Sequence, residues 1–131
     1  MYNVIGSKNP NYLLADPKGA DKFAIPCEPE NGVIAAGTVM YRKETGLWAP
    51  SAAENVAESN QLAVLDEEVD TTINKTVAED AAAFRGGRFV YGKVKLANGD
   101  APTAAHMVIL RKQGIVFDRM QSTETFDNKK S

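Results

Sequence analysis

Residues 37–50 read GTVMYRKETGLWAP. Val39 and Tyr41 alternate with Thr38, Met40 and Arg42, a period of two that predicts a half-buried strand. Glu44-Thr45-Gly46 supplies a turn, with Gly46 able to take a positive φ. Leu47-Trp48 resumes the apolar run before Pro50 closes it. Downstream, Leu62-Ala-Val-Leu65 is a short apolar run entering an acidic edge. Arg88-Phe-Val-Tyr91 and Lys93-Val-Lys-Leu96 read as one strand with Gly92 inside it, where a glycine marks a bulge or sharp bend. Asn98-Gly99 is a turn signal. Pro102–Gln113 then predicts a helix, with proline in its first turn, Gly114 as C-terminal cap and Arg111-Lys112 at the negative end of the dipole. Leu110, Met107 and Ala104 share its expected buried face, and Ile115-Val-Phe117 predicts a last strand. Thr76-Val-Ala-Glu79 has capping-box form and Ala81–Ala83 favours helix, yet Gly86-Gly87 leaves room for only two turns. Ala81–Phe84 is therefore read as the approach of a strand.

Upstream, residues 1–35 hold four of the six prolines (Pro10, Pro17, Pro26, Pro29). Each fixes φ, removes a donor and biases its predecessor toward extended backbone. Tyr12, Leu13 and Leu14, then Phe23 and Ile25 beside Pro26, punctuate the segment with apolar anchors. Two readings stand: an ordinary loose terminus, or an extended arm that orders on a partner surface. Solvating tails are normally poor in leucine and phenylalanine. The expected fold is mainly β, a small α+β protein. It has an extended N-terminal arm over 1–35, a β-rich body over 36–117 with its helix at about 102–113, and a polar tail over 118–131.

At 131 residues with 44% apolar content, the chain suits one domain with a real core. A formal net charge of -2 and a pI near 5.4 argue against general nucleic-acid binding, which calls for a clustered cationic face. The single cysteine, Cys27, excludes an internal disulfide framework. No apolar run reaches the ~20 residues that span a bilayer. The first residues do not read as a signal peptide, so the expected setting is a reducing cytoplasm.

Motifs of chemistry are weak. Gly87-Arg-Phe-Val-Tyr-Gly92-Lys93 has the glycine-to-lysine spacing of a phosphate loop. However, Val94 replaces the Ser or Thr that would hold magnesium, and Phe89-Val90-Tyr91 favours a strand. Asp66, Glu68 and Asp70 alternate like the start of a calcium loop, but Thr71 stands where the turn glycine belongs and Val77 where the closing glutamate belongs. His106, the sole histidine, falls within the predicted helix. Glu28 next to Cys27 disfavours the thiolate a nucleophile needs. These residues predict no catalytic, cofactor or metal site, and hence no enzyme.

Charge is uneven. Glu54–Asp80 carries eight acids and one base, Arg85–Lys112 six bases and one acid. The blander reading is solvated faces. The other is complementary faces by which copies meet head to tail in a closed ring, with Arg85 and Arg88 answering Asp66 and Glu68.

Six blocks in order complete the reading: Phe23–Pro26, Ala36–Tyr41, Thr45–Pro50, Leu62–Asp70, Arg85–Tyr91 and Leu110–Phe117. In order and spacing they resemble the lambda-type head decoration proteins of tailed phages, a likeness spanning about two-thirds of the chain. The longer N-terminal arm and the polar tail depart from that pattern. The resemblance implies a capsid-stabilising homotrimer on the virion exterior, made in the host cytoplasm. It would sit at the three-fold and quasi-three-fold positions of an expanded head and clamp neighbouring major capsid proteins against packaged DNA. It also implies an arm that adds a strand to the shell, with Tyr12, Leu13, Leu14, Phe23, Ile25 and Pro26 as contacts. On that reading, removing residues 1–30 leaves a folded trimer that no longer coats shells. The rival readings are a monomeric protein-binding module of a tail or fibre, and a small enzyme subunit.

Overall fold

Around Tyr41 the alternating residues form a strand, Val39–Arg42, which turns at Gly46 (φ 93°) and returns as Trp48–Pro50. The Lys43 amide donates to the Leu47 carbonyl at 2.7 Å and the Gly46 amide to that of Lys43 at 2.9 Å, closing the turn. These strands belong to a computed structural model that describes residues 13–118, apart from the side chains of 16–19. Along it lie β1 (Leu14–Cys27), β2 (Val33–Ile34), β3 (Val39–Arg42), β4 (Trp48–Pro50), a 3-10 turn (Ala53–Asn55), β5 (Leu62–Leu65), β6 (Val69–Asp70), β7 (Glu79–Val90), α1 (Ala104–Lys112) and β8 (Ile115–Asp118). The protein is mainly β, with one helix among the described residues.

β3 lies between β4 and β5, antiparallel to both; β5 pairs with β7, and β7 runs antiparallel to β1. β1 then meets β4 in parallel at Cys27 and Trp48, where the Glu28 amide donates to the Trp48 carbonyl at 2.8 Å. These pairings join β1, β4, β3, β5 and β7 into a closed ring. Closure satisfies strand edges that an open sheet would leave exposed. β8 adds in parallel along Gly87–Val90 of β7, and β2 pairs with β6 in a separate two-stranded sheet.

Side chains alternate across a strand, so each ring strand can serve two faces. Ile25, Cys27, Met40, Trp48, Ala63, Leu65, Ala81 and Ala83 come from all five ring strands and pack into one cluster, which places that cluster inside the ring. Three alanines and a cysteine among them suit so narrow an interior. On the opposite face, Val39, Leu62, Val64, Phe84 and Phe89 are covered by Leu110 of α1, Ile115 of β8, and Val56, Val94 and Leu96 from the connections. Fully burying a Val, Leu or Phe side chain contributes roughly 1.5–3 kcal/mol, so two such clusters are ample for a chain this small.

α1 starts where a reciprocal cap forms. The Thr103 hydroxyl accepts from the His106 amide at 3.3 Å, while His106 Nδ1 accepts from the Thr103 amide at 3.1 Å. Gly114, at φ 90°, ends it. Gln113 then ties the helix to the body: its Oε1 accepts from the Leu62 amide at 2.9 Å and its amide nitrogen donates to the Asn60 carbonyl at 2.7 Å.

Several expectations are corrected. The described part of the expected 1–35 arm, residues 13–35, is not separate from the body, because β1 and β2 lie within it and Ile25 and Cys27 are fully buried. Prolines suggested a broken segment, but Pro17 falls where the β1–β7 register shifts. Pro26 precedes the single point, Cys27, at which β4 touches the other edge of β1; a missing donor is tolerated in such places. Residues 88–96 are not one strand: β7 ends at Val90, and Gly92 takes φ 102° in a turn. That turn carries Val94 and Leu96 into the core and leaves Thr38 and Lys95 in an isolated bridge. Met40 is as buried as Val39, since β3 is covered on both faces. Thr76–Glu79 starts no helix; β7 begins at Glu79 and takes in Ala81–Phe84. On α1 only Leu110 is buried: Ala104 is exposed and Met107 half-buried. Asp118 belongs to β8, while 119–131 lie outside the described residues.

Candidate assembly surface

The chemistry-bearing side chains stand apart from one another. The Cys27 thiol is buried among strands, and burial, helped by the charges of Asp80, Glu67 and Glu79, pushes its pKa up to about 11. That is the opposite of what a nucleophilic or metal-binding thiolate needs. His106 is committed to capping α1. Neither residue lines the four best-formed grooves among the described residues. Among the described residues no group of three or more His, Cys, Asp or Glu converges as metal ligands. Asp66 instead accepts from Lys22 at 3.0 Å, and Asp70 accepts from the Thr72 hydroxyl at 2.5 Å and from its amide at 2.9 Å, which lowers its pKa.

The residues expected to grip a shell are distributed differently from the sequence reading. Tyr12 lies outside the described residues. Leu13 and Ile25 are core residues, and Leu14 and Phe23 pack partly buried against the two clusters. Phe23 meets Trp48 edge-to-face at 5.7 Å and carries the Arg85 guanidinium over its ring at 4.6 Å. Pro26, half-buried, sits opposite Asp80. The described members of the set therefore lie in β1 or, for Leu13, just before it, and pack within the body, while residues 1–12 of the expected arm lie outside the described residues.

The charged set is likewise used within the chain. Arg85 pairs with Asp21 at 2.9 Å, Arg88 with Asp118 at 3.5 Å and Asp66 with Lys22 at 3.0 Å, whereas Glu68 is exposed. Asp21 and Lys22 lie on β1, so two of these pairs fasten that strand to the body. Exposed pairs of this kind contribute about 0–1 kcal/mol each, so they orient β1 more than they stabilise it.

Two surface features escaped the sequence reading. The first is a groove of about 360 Å³ between α1 and β8, lined by Ala104, Met107, Val108, Arg111, Val116 and Phe117. Its helical members recur at i, i+3, i+4 and i+7, a second stripe beside the one that buries Leu110. The second is the 71–78 connection between β6 and β7, where Ile73 is 72% and Val77 55% exposed. The Thr76 amide donates to Asn74 Oδ1 at 3.0 Å and the Thr72 amide to Asp70 Oδ1 at 2.9 Å, so side-chain turns shape this loop. An isoleucine in the polar run TTINKT was the available signal.

No helix among the described residues is long and apolar enough to cross a membrane. A comparison with protein-family models finds no match, and one with curated proteins finds no significant relative.

Proposed function

We propose that this protein is a lambda-type capsid decoration protein, a cement that binds the expanded phage head as homotrimers at three-fold and quasi-three-fold positions and works without catalysis. The observation that carries the reading is the placement of the six resemblance blocks. They coincide with β1, β3, the Gly46 turn and β4, β5 with β6, β7, and the α1–β8 junction, so the likeness follows the structural skeleton rather than its loops. Cys27 and His106 are absent from the linings of the four grooves described, and no reactive cluster supports turnover there. The major capsid protein is the partner, and residues 1–12 are the strap that adds to it. A trimer presents three straps. Once one engages, the others bind at high effective concentration and gain ~100- to 10,000-fold in avidity. Binding only the expanded lattice stabilises that state by linkage.

Electron microscopy of the full chain mixed with expanded empty heads tests this. Added density at the three-fold positions is expected. Bare shells at saturating protein overturn the reading.

A further inference from the structure

The α1–β8 groove and the 71–78 loop are both apolar surfaces, and the charges around them are opposite in sign. The groove is concave and apolar, with Val108 51% exposed at its rim. The loop holds Ile73 and Val77 out to solvent. Residues 104–116 contain two bases, Arg111 and Lys112, and no acid; residues 67–80 contain five acids (Glu67, Glu68, Asp70, Glu79, Asp80) and one base, Lys75. Among the described residues Lys112 is engaged by Glu58, while Arg111 lines the groove.

Resting on the trimer reading above, we propose that the groove receives the 71–78 loop of a second copy of this chain, Ile73 and Val77 entering between α1 and β8 while the acids flanking the loop face Arg111. Groove and loop are different surfaces of one molecule, so the contact is heterologous: each copy gives its loop to one neighbour and its groove to the other, and a closing rotation makes a ring. The side-chain turns at Asp70 and Asn74 hold the loop in shape before contact, which lowers the ordering cost of association. Apolar burial supplies affinity, and the opposed charges set orientation and encounter rate.

The test uses the full chain and light scattering. Ile73→Asp spoils the loop and leaves the groove intact, while Val108→Asp does the reverse. Both sites are exposed, so neither substitution disturbs a core, and circular dichroism checks the fold. Each variant alone is expected to fall to a third of the wild-type mass, the 14.2 kDa of one chain. Mixed in equal amounts, the two are expected to form a dimer, because one good loop and one good groove remain. A wild-type trimer that neither substitution disrupts overturns this contact and leaves the trimer standing. So does a mixture that stays monomeric. A wild-type chain that is monomeric at every concentration overturns the ring together with the contact, whereas shell binding, read separately by microscopy, decides the decoration function.

Discussion

Gly37 sits at φ 90°, and a Cβ there would lie 2.4 Å from the Lys93 carbonyl oxygen. Both the backbone conformation and the approach of the 91–95 segment need glycine. Gly37→Ala is expected to destabilise the fold by on the order of 3 kcal/mol, read as a lower urea midpoint. Unchanged stability would show that the approach is looser than described. Cys27 makes a different prediction. Its thiol stands at about 11 in the fold against an ordinary 9.0, so the folded state favours the protonated form. That contribution is whole below pH 9 and is lost as pH rises toward 11, about 2–3 kcal/mol in all. Cys27→Ala is expected to flatten the alkaline fall in stability across that window, and equal slopes in the two proteins would contradict the assignment. The sequence indicated an inert thiol from Glu28 alone. The acids whose charges raise the thiol are Asp80, Glu67 and Glu79, residues that the fold brings near, and adjacency in sequence does not report pairing.

β1 is the element on which reading and structure part most. Its apolar residues were legible; what hid the strand was the assumption that prolines end it. Its partner, β7, begins more than fifty residues after β1 ends, and local pattern holds no record of so distant a pairing. The hairpin-like β3–β4 unit, by contrast, was legible because its strands, turn glycine and register all lie within a few residues. Helix α1 was legible from its ends, since Gly114 and the basic last turn are local signals. The groove on its second face was not, because it exists only once β8 lies alongside. The strand assignment changes what deletion should do. Removing residues 1–30 takes away β1 with Phe23, Ile25 and Cys27 and is expected to abolish cooperative unfolding. Removing 1–12 spares every described element and is expected to leave the thermal midpoint within a few degrees while shell binding is lost. Normal coating of heads by the 1–12 deletion would show that the strap lies elsewhere.

For the whole molecule, ring closure suits the force-resisting role proposed above, since it leaves few strand edges open. The charge asymmetry was visible in the sequence, but the residues first assigned to contacts between copies are not the ones left available. Arg85, Arg88 and Asp66 each have an intrachain partner. Charge counting finds the two signs; only the folded arrangement tells which charges already answer one another. Among the described residues the exposed apolar loop and the apolar groove then stand out as surfaces available to a second copy.

The joining of β1 to β7 has a consequence for birth as well as for strength. On the ribosome the first ring strand emerges long before its mate: Asp21 waits for Arg85, 64 positions later. At 5–20 residues per second that interval is roughly 3–13 s. Throughout it, Phe23 and Ile25 are unsheltered, and the nascent polypeptide is open to capture by chaperones or by a neighbouring strand. Synthesis rate over the intervening codons therefore bears directly on yield.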